Sequence, residues 1–222
     1  MEQVANLLQQ KEKWAPRHSC ENRNLGGEII FLKNIYDQTN MITHSIVYVG
    51  LGSNLNNPVH QVKQALRALD TISTTHLSTH SALYRSQPLG PQNQPDYINA
   101  VAVLTTQLSP LTLLYQLQTI ENKQGRVRGV ERWGPRTLDL DMLLYDNRLL
   151  QNPQLTLPHP GLYERAFVLY PLYECAPDLV LPDGQRVYDL MQHCPADELY
   201  KVTKWRIASL RWMLSVKLLI TS

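Results

Sequence analysis

Ser45-Ile-Val-Tyr-Val-Gly-Leu51 is a run rich in β-branched and aromatic residues, closed by the turn formers Gly52-Ser53-Asn54, and it reads as a buried strand. Working outward, Pro58 opens a helix whose apolar positions Val59, Val62, Leu66 and Leu69 recur at helical spacing. A second strand is predicted over 77–84. Pro88, Gly90, Pro91 and Pro95 make 85–96 an irregular loop. A third strand follows over 97–104. Ser109-Pro110 then caps and starts a second helix with Leu113, Leu114, Leu117 and Ile120 as its buried stripe. A polar segment, 122–136, leads to a fourth strand over 137–145. A meander with Pro153, Pro158 and Pro160 precedes a helix around 162–173. The order β-α-β-β-α-β predicts an α+β fold: a ferredoxin-like split βαβ, with an antiparallel sheet and helices packed mainly on one face.

Composition limits the function classes. Of 222 residues, 43% are hydrophobic and 18% charged, so the chain buries a core rather than staying disordered. Twenty-one basic and 19 acidic side chains leave a net charge of +2, no footprint for bulk nucleic-acid binding. The three cysteines, Cys20, Cys175 and Cys194, have no CxxC or zinc-type spacing and read as reduced thiols. The most apolar run, 207–220, is broken by Arg211 and Lys217 and falls short of a membrane span. Residues 1–10 are polar and do not resemble a signal peptide. A cytoplasmic location is expected. Residues 1–40 read as a poorly structured extension, or as a stretch ahead of a true start at Met41. The domain is expected over 41–205, with a divergent tail over 206–222.

The sharpest chemical feature is Leu138-Asp139-Leu140-Asp141-Met142. In a strand, alternate side chains share a face, so Asp139 and Asp141 point one way and the apolar residues the other. Two such carboxylates repel each other and lose hydration, and a hard divalent cation relieves both costs. An edge strand with a wet polar face is the bland alternative. Just upstream, Arg126, Arg128, Arg132 and Arg136 stand with Trp133 among Gly125, Gly129 and Gly134. Guanidinium forks match phosphate oxygens, and the glycines let such a loop move as a lid. Together the two segments read as a nucleotide-triphosphate site. No GxxxxGK[ST] loop and no protein-kinase signature occurs. Tyr97 and Asn99 share a strand face and offer a ring plane and an amide to a flat heterocycle; either is also compatible with ordinary core. Gln118 and Glu121 share a helix face.

Three stretches carry a resemblance: Val49-Gly-Leu-Gly-Ser-Asn-Leu55, the segment from Ser86 to Asn99, and Arg132-Trp-Gly-Pro-Arg-Thr-Leu-Asp-Leu-Asp141. With Leu157-Pro-His-Pro160, Arg165 and Phe167, they resemble the 6-hydroxymethyl-7,8-dihydropterin pyrophosphokinase family continuously from about 45 to 205. The resemblance implies transfer of the terminal diphosphate of ATP to the pterin hydroxymethyl group, releasing AMP, in folate biosynthesis. It implies two Mg²⁺ ions on Asp139 and Asp141, and Arg126 and Arg136 as catalytic arginines. It implies a pterin pocket of Ser86, Leu89, Tyr97, Asn99 and Phe167. Gln118, Glu121, Arg128, Arg132, Trp133, Thr156, His159 and Arg165 match nucleotide contacts. Gln154 and Pro160 depart from the family pattern, where an arginine and a tyrosine are expected. A monomer acting on small molecules, without nucleic acid or membrane, is the resulting expectation. An RNA-binding module on the same sheet is the alternative from another class, although the RNP-type aromatic strand is missing and the two aspartates would repel a phosphate backbone.

Overall fold

A computed structural model describes residues 43–126, 134–196 and 198–203, all within the unit Thr43–Ser222. Strand β1 (Ser45–Ser53) lies inside the sheet, between β4 (Tyr97–Thr106) and β5 (Asp139–Tyr145), antiparallel to both. Its pleat sends Val47, Val49 and Leu51 into the core and turns Gly50 and Gly52 to the opposite face. The sheet order is β5-β1-β4-β3-β8, with β3 at Leu83–Ser86 and β8 at Tyr200–Thr203, and β2 (Thr75–His80) also pairs with β4. A two-stranded ribbon, β6 (Leu150–Gln151) with β7 (Thr156–Leu157), stands apart.

Helix α1 (Pro58–Leu69) starts at Asn57, whose side chain accepts the His60 N–H. Helix α2 (Pro110–Lys123) starts at Ser109, whose hydroxyl accepts the Thr112 N–H. Such caps satisfy donors that the first turn leaves without intrahelical partners. Val62, Leu66, Leu69, Leu113 and Leu117 are fully buried and pack with the inward residues of β1, β4 and β5 in one core. Burying side chains of this size contributes about 1.5–3 kcal/mol each, before chain entropy is counted.

The predicted architecture is present, with three differences of detail. The expected strand over 77–84 is two strands, β2 and β3. At the break the Ser81 hydroxyl accepts the Val101 N–H of β4, so a side chain substitutes for the ladder and the register restarts at Tyr84. The expected helix over 162–173 begins later: a 3₁₀ turn (Pro160–Leu162) precedes α3 (Ala166–Cys175). Moreover, α3 and the short α4 (Val187–Gln192) do not join α1 and α2. Val168, Leu169, Leu172 and Val187 pack with Val101, Leu143 and Leu144 on the other face of the sheet. A bulge places Leu143 and Leu144 together there, since Tyr48 pairs with Leu144 and Val49 with Met142. The carbonyl of the bulged Leu143 accepts the His159 N–H at 2.9 Å and ties the proline-rich meander to the sheet. The helices on this face leave a cleft between α3 and the ends of β1, β4 and β5.

Candidate active site

The cleft measures about 300 Å³. Its polar wall follows from strand period and register. Asp139 and Asp141 alternate with the buried Leu138, Leu140 and Met142, and they pair with Gly52 and Gly50 of β1. Gly52 also pairs with Asn99 of β4. One cross-strand row therefore reads Asp139–Gly52–Asn99, all on the cleft side. A Cβ at position 52 would stand 3.5 Å from Asn99 Oδ1, 3.8 Å from the Tyr97 ring and 4.0 Å from Asp139 Cβ, so glycine keeps the space between them open.

Asp139 accepts from both Arg126 and Arg136. Beneath them Glu121, from the last turn of α2 and only 2% exposed, pairs with Arg126 and accepts the Leu140 N–H at 2.8 Å. Burial works against the Arg126 charge, but Asp139 and Glu121 outweigh it and hold the guanidinium above its ordinary pKa. Asp141 behaves differently. Among the described residues it takes no hydrogen bond or ion pair, and burial, reinforced by the charge of Asp139, pushes its carboxyl up to about 7. A half-buried carboxylate beside another, facing the cleft and, among the described residues, without an ion pair of its own, fits a Mg²⁺ ligand, because the ion supplies the charge that desolvation withholds.

The apolar wall is built from β4, the loop after β3 and α3. Asn99 donates to the Ser86 hydroxyl at 2.9 Å, which fixes the direction of its amide. Tyr97 donates to the Gly134 carbonyl at 3.1 Å, and burial raises its phenol pKa. Phe167 faces the cleft from the first turn of α3, with the Arg165 guanidinium 6.0 Å above its ring. His159 accepts the Gly161 N–H at Nδ1. Its neutral ring then carries the proton on Nε2. Burial, with Arg165 nearby, lowers the His159 pKa and favours that neutral form.

The cleft thus gathers Ser86, Leu89, Tyr97, Asn99, Arg126, Arg136, Asp139, Asp141, His159, Arg165 and Phe167 from the residues predicted by sequence. Glu121 lies behind it, holding Arg126. Gln118 is half-buried on α2 and Thr156 exposed on β7, and neither lines it. Arg128, Arg132 and Trp133 lie outside the described residues. Of the two departures, Gln154 is exposed and Pro160 begins the 3₁₀ turn. Sequence reasoning missed the roles of Gly50, Gly52 and Asn54. The two glycines carried a signal, since they alternate with core residues and so bare one strand face. Asn54, 2% exposed, accepts the Arg136 N–H at 2.7 Å and donates to Gln94 and the Pro95 carbonyl at 3.1 Å each. A lone Asn after a turn carries no mark of such a clamp.

Fold and cleft together define an α+β domain in which a wall of carboxylates and guanidinium groups faces the rings of Tyr97 and Phe167. The family model for 7,8-dihydro-6-hydroxymethylpterin-pyrophosphokinase (HPPK) matches residues 48–177, more than half of the chain. The 2-amino-4-hydroxy-6-hydroxymethyldihydropteridine pyrophosphokinase of Haemophilus influenzae is 55% identical over 155 residues, 70% of this chain and 96% of that protein. Its counterpart from Pseudomonas aeruginosa is 52% identical over 156 residues, again 70% and 96%. The chain belongs to this family of pyrophosphokinases, enzymes of folate biosynthesis. Solved structures share the fold. A Plasmodium falciparum HPPK-DHPS with pterin and p-hydroxybenzoate superimposes with a TM-score of 0.54 at 13% identity, over 68% of this chain and 42% of that one. An HPPK-DHPS in complex with substrates gives 0.54 at 11% identity, over 68% and 43%. The chain spans less than half the length of these two-part proteins.

Proposed function

We propose that ATP lies with its triphosphate along Asp139, Asp141, Arg126 and Arg136 while 6-hydroxymethyl-7,8-dihydropterin slots between Tyr97 and Phe167. The hydroxymethyl oxygen attacks the β-phosphorus and gives up its proton. The bond from that phosphorus to the oxygen bridging to the α-phosphate breaks, and AMP leaves. The observation that supports this reading is the row Asp139–Gly52–Asn99, which sets an acidic residue of the charged wall and the Asn99 amide side by side across one glycine.

Each residue's part follows from its surroundings. Asp139 and Asp141 hold Mg²⁺, two ions in this reading, which neutralises phosphate charge and polarises the attacking hydroxyl when bound. Arg126 and Arg136 exchange Asp139 for phosphate oxygens and present fixed positive charge to the transition state. Glu121 holds Arg126 in place during that exchange. Neutral His159 offers Nε2–H to a phosphate oxygen, and Arg165 adds charge beside it. Asn99, aimed by Ser86, reads the polar edge of the pterin, and Tyr97 and Phe167 stack on its faces. Alignment of hydroxyl and phosphorus is the larger part of such catalysis, because the loose transition state needs little covalent help. Arg128, Arg132 and Trp133 are nucleotide-binding residues in this reading, with Gln118 and Thr156 at the outer edge of the nucleotide.

Among the described residues no helix is long and apolar enough to cross a membrane. A monomer acting in the cytoplasm on these two small molecules, without nucleic acid, completes the proposal. The direct test is AMP release from ATP and Mg²⁺ as a function of added hydroxymethyl-dihydropterin. Saturable, pterin-dependent AMP is expected. AMP that forms equally without pterin, or ADP as the product, overturns the assignment.

A further inference from the structure

Helix α3 carries Phe167 over the cleft and is anchored by its buried Val168, Leu169 and Leu172, yet it has few local helix-stabilising signals. It is ten residues long, has no side-chain cap at its N-terminus, and Pro171 removes one internal N–H. Its last turn has no basic residue and instead carries the carboxylate Glu174, which the helix dipole disfavours at that end. A residue poorly suited to the helix calls for a tertiary reason, and three donors supply one. Glu174 accepts from the Ala82 N–H at 3.2 Å, the Tyr84 hydroxyl at 2.7 Å and the Lys201 ammonium at 3.0 Å. Burial alone would raise its pKa, but these bonds hold it below the ordinary carboxylate value.

The donors sit where the sheet needs an outside support. Ala82 lies in the break between β2 and β3, where the ladder with β4 is interrupted. Tyr84, 9% exposed, pairs across β3 and β4 with Asn99 and extends the row Asp139–Gly52–Asn99 by one residue. Lys201 lies on β8, opposite Tyr84. Glu174 and Phe167 are seven residues apart, about two turns, so both project from the same side of α3. The carboxylate therefore clamps one end of α3 to β3 and β8, and β3 in turn pairs with β4, the strand that carries Tyr97 and Asn99, while Phe167 projects from the other end.

We propose that Glu174 is a positioning residue for the acceptor slot, setting the separation of Phe167 from Tyr97 through Tyr84 and Ala82. This rests on the reading of Tyr97 and Phe167 as the two faces of the pterin site. The test uses the full chain and compares E174A, E174Q, Y84F and F167A by calorimetry with pterin and with an ATP analogue plus Mg²⁺, alongside thermal melting. Pterin affinity should fall roughly tenfold in E174A, about 1.4 kcal/mol, with nucleotide affinity within about twofold. E174Q keeps an acceptor oxygen for Tyr84 and Ala82 and should recover most of the loss. Y84F, which removes one hydroxyl and fits its site without strain, should show a smaller loss of the same kind and carries the test if E174A does not fold. A lower melting temperature with unchanged pterin affinity in E174A and Y84F, while F167A binds pterin weakly, overturns the role of Glu174 and leaves the slot intact. Unchanged pterin affinity in F167A overturns the slot itself, and with it this proposal.

Discussion

At the scale of single residues, the two aspartates of β5 are neighbours in one cleft with opposite surroundings. Asp139 is neutralised by two guanidinium groups, whereas Asp141 is half-buried beside a like charge, and desolvation with that charge pushes its carboxyl up to about 7. A folded-state pKa raised this far means that the native protein keeps a proton which the unfolded chain releases. Stability therefore falls as pH rises between about 4 and 7. D141N removes that dependence, so its melting temperature should gain on the wild type across this window. Mg²⁺ should raise the wild-type melting temperature more at pH 8 than at pH 5, and do much less for D141N. An equal Mg²⁺ effect in both proteins contradicts the assignment of Asp141 as a ligand. The arginines separate in a different way. R136A should lower turnover by about 10³ or more, with a smaller change in ATP affinity, as expected for charge that acts on the transition state. R126A should do the same and also melt lower, because it removes the guanidinium that bridges the carboxylates of Glu121 and Asp139. Steady-state kinetics with parallel melting curves checks both, and a change confined to the Michaelis constant argues against the catalytic role. Alternation along a strand made Asp139 and Asp141 legible in the sequence. The contact of Glu121 with Arg126 was not, since helical spacing tells which residues share a face and not which charge meets them from another element.

At the scale of elements, β1 shows how one strand serves core and site together. Val47, Val49 and Leu51 are core, and the alternate positions Gly50 and Gly52 leave the cleft floor at backbone height. Position 52 has only ordinary contact distances around a Cβ, 3.5 Å or longer, and lies in a strand, where β-branched residues are at home. G52V should therefore fold with a melting temperature near the wild type, yet lose most pterin-dependent AMP release, since its methyl groups fill the space between Asn99 and Asp139. A G52V enzyme with full turnover would show that the substrates do not cross this glycine. The first strand and the two long helices were legible because their apolar periods are long and their ends carry Pro, Ser and Asn signals. The break at Ser81 was not, because a hydroxyl that replaces a ladder bond looks like any polar strand residue. The start of α3 was obscured for a related reason: 160–168 is apolar enough for a helix and lacks a capping side chain to mark the first turn. That α3 would cover the face opposite α1 and α2 follows from the bulge at Leu143, which no local pattern announces.

At the scale of the whole molecule, the cleft residues come from β1, β4, β5, the loops after β3, α2 and β7, and α3, all within the unit that begins at Thr43. The relative from H. influenzae aligns over 96% of its own length with 155 residues of this chain, so about 67 of the 222 residues here have no counterpart in it. A family that performs the transfer without such residues gives no chemical task to them. We propose accordingly that 41–205 is the complete catalytic domain, with 1–40 an extension outside it and 206–222 a tail. Residues 1–40 are rich in charged and amide side chains, and their one apolar stretch, around 29–35, is too small for a core of its own. Removal of 1–40 should leave kcat and both Michaelis constants within about twofold and shift the melting temperature by less than about 2 °C. A shift of that size corresponds to roughly 0.5–1 kcal/mol for a domain of this length. Met41 gives the truncated protein a natural start, and mass spectrometry of the native protein reports whether its N-terminal peptide begins there. A truncated enzyme that melts several degrees lower, or loses pterin-dependent AMP release, would mean that residues before Met41 complete the fold and that the domain starts upstream of it.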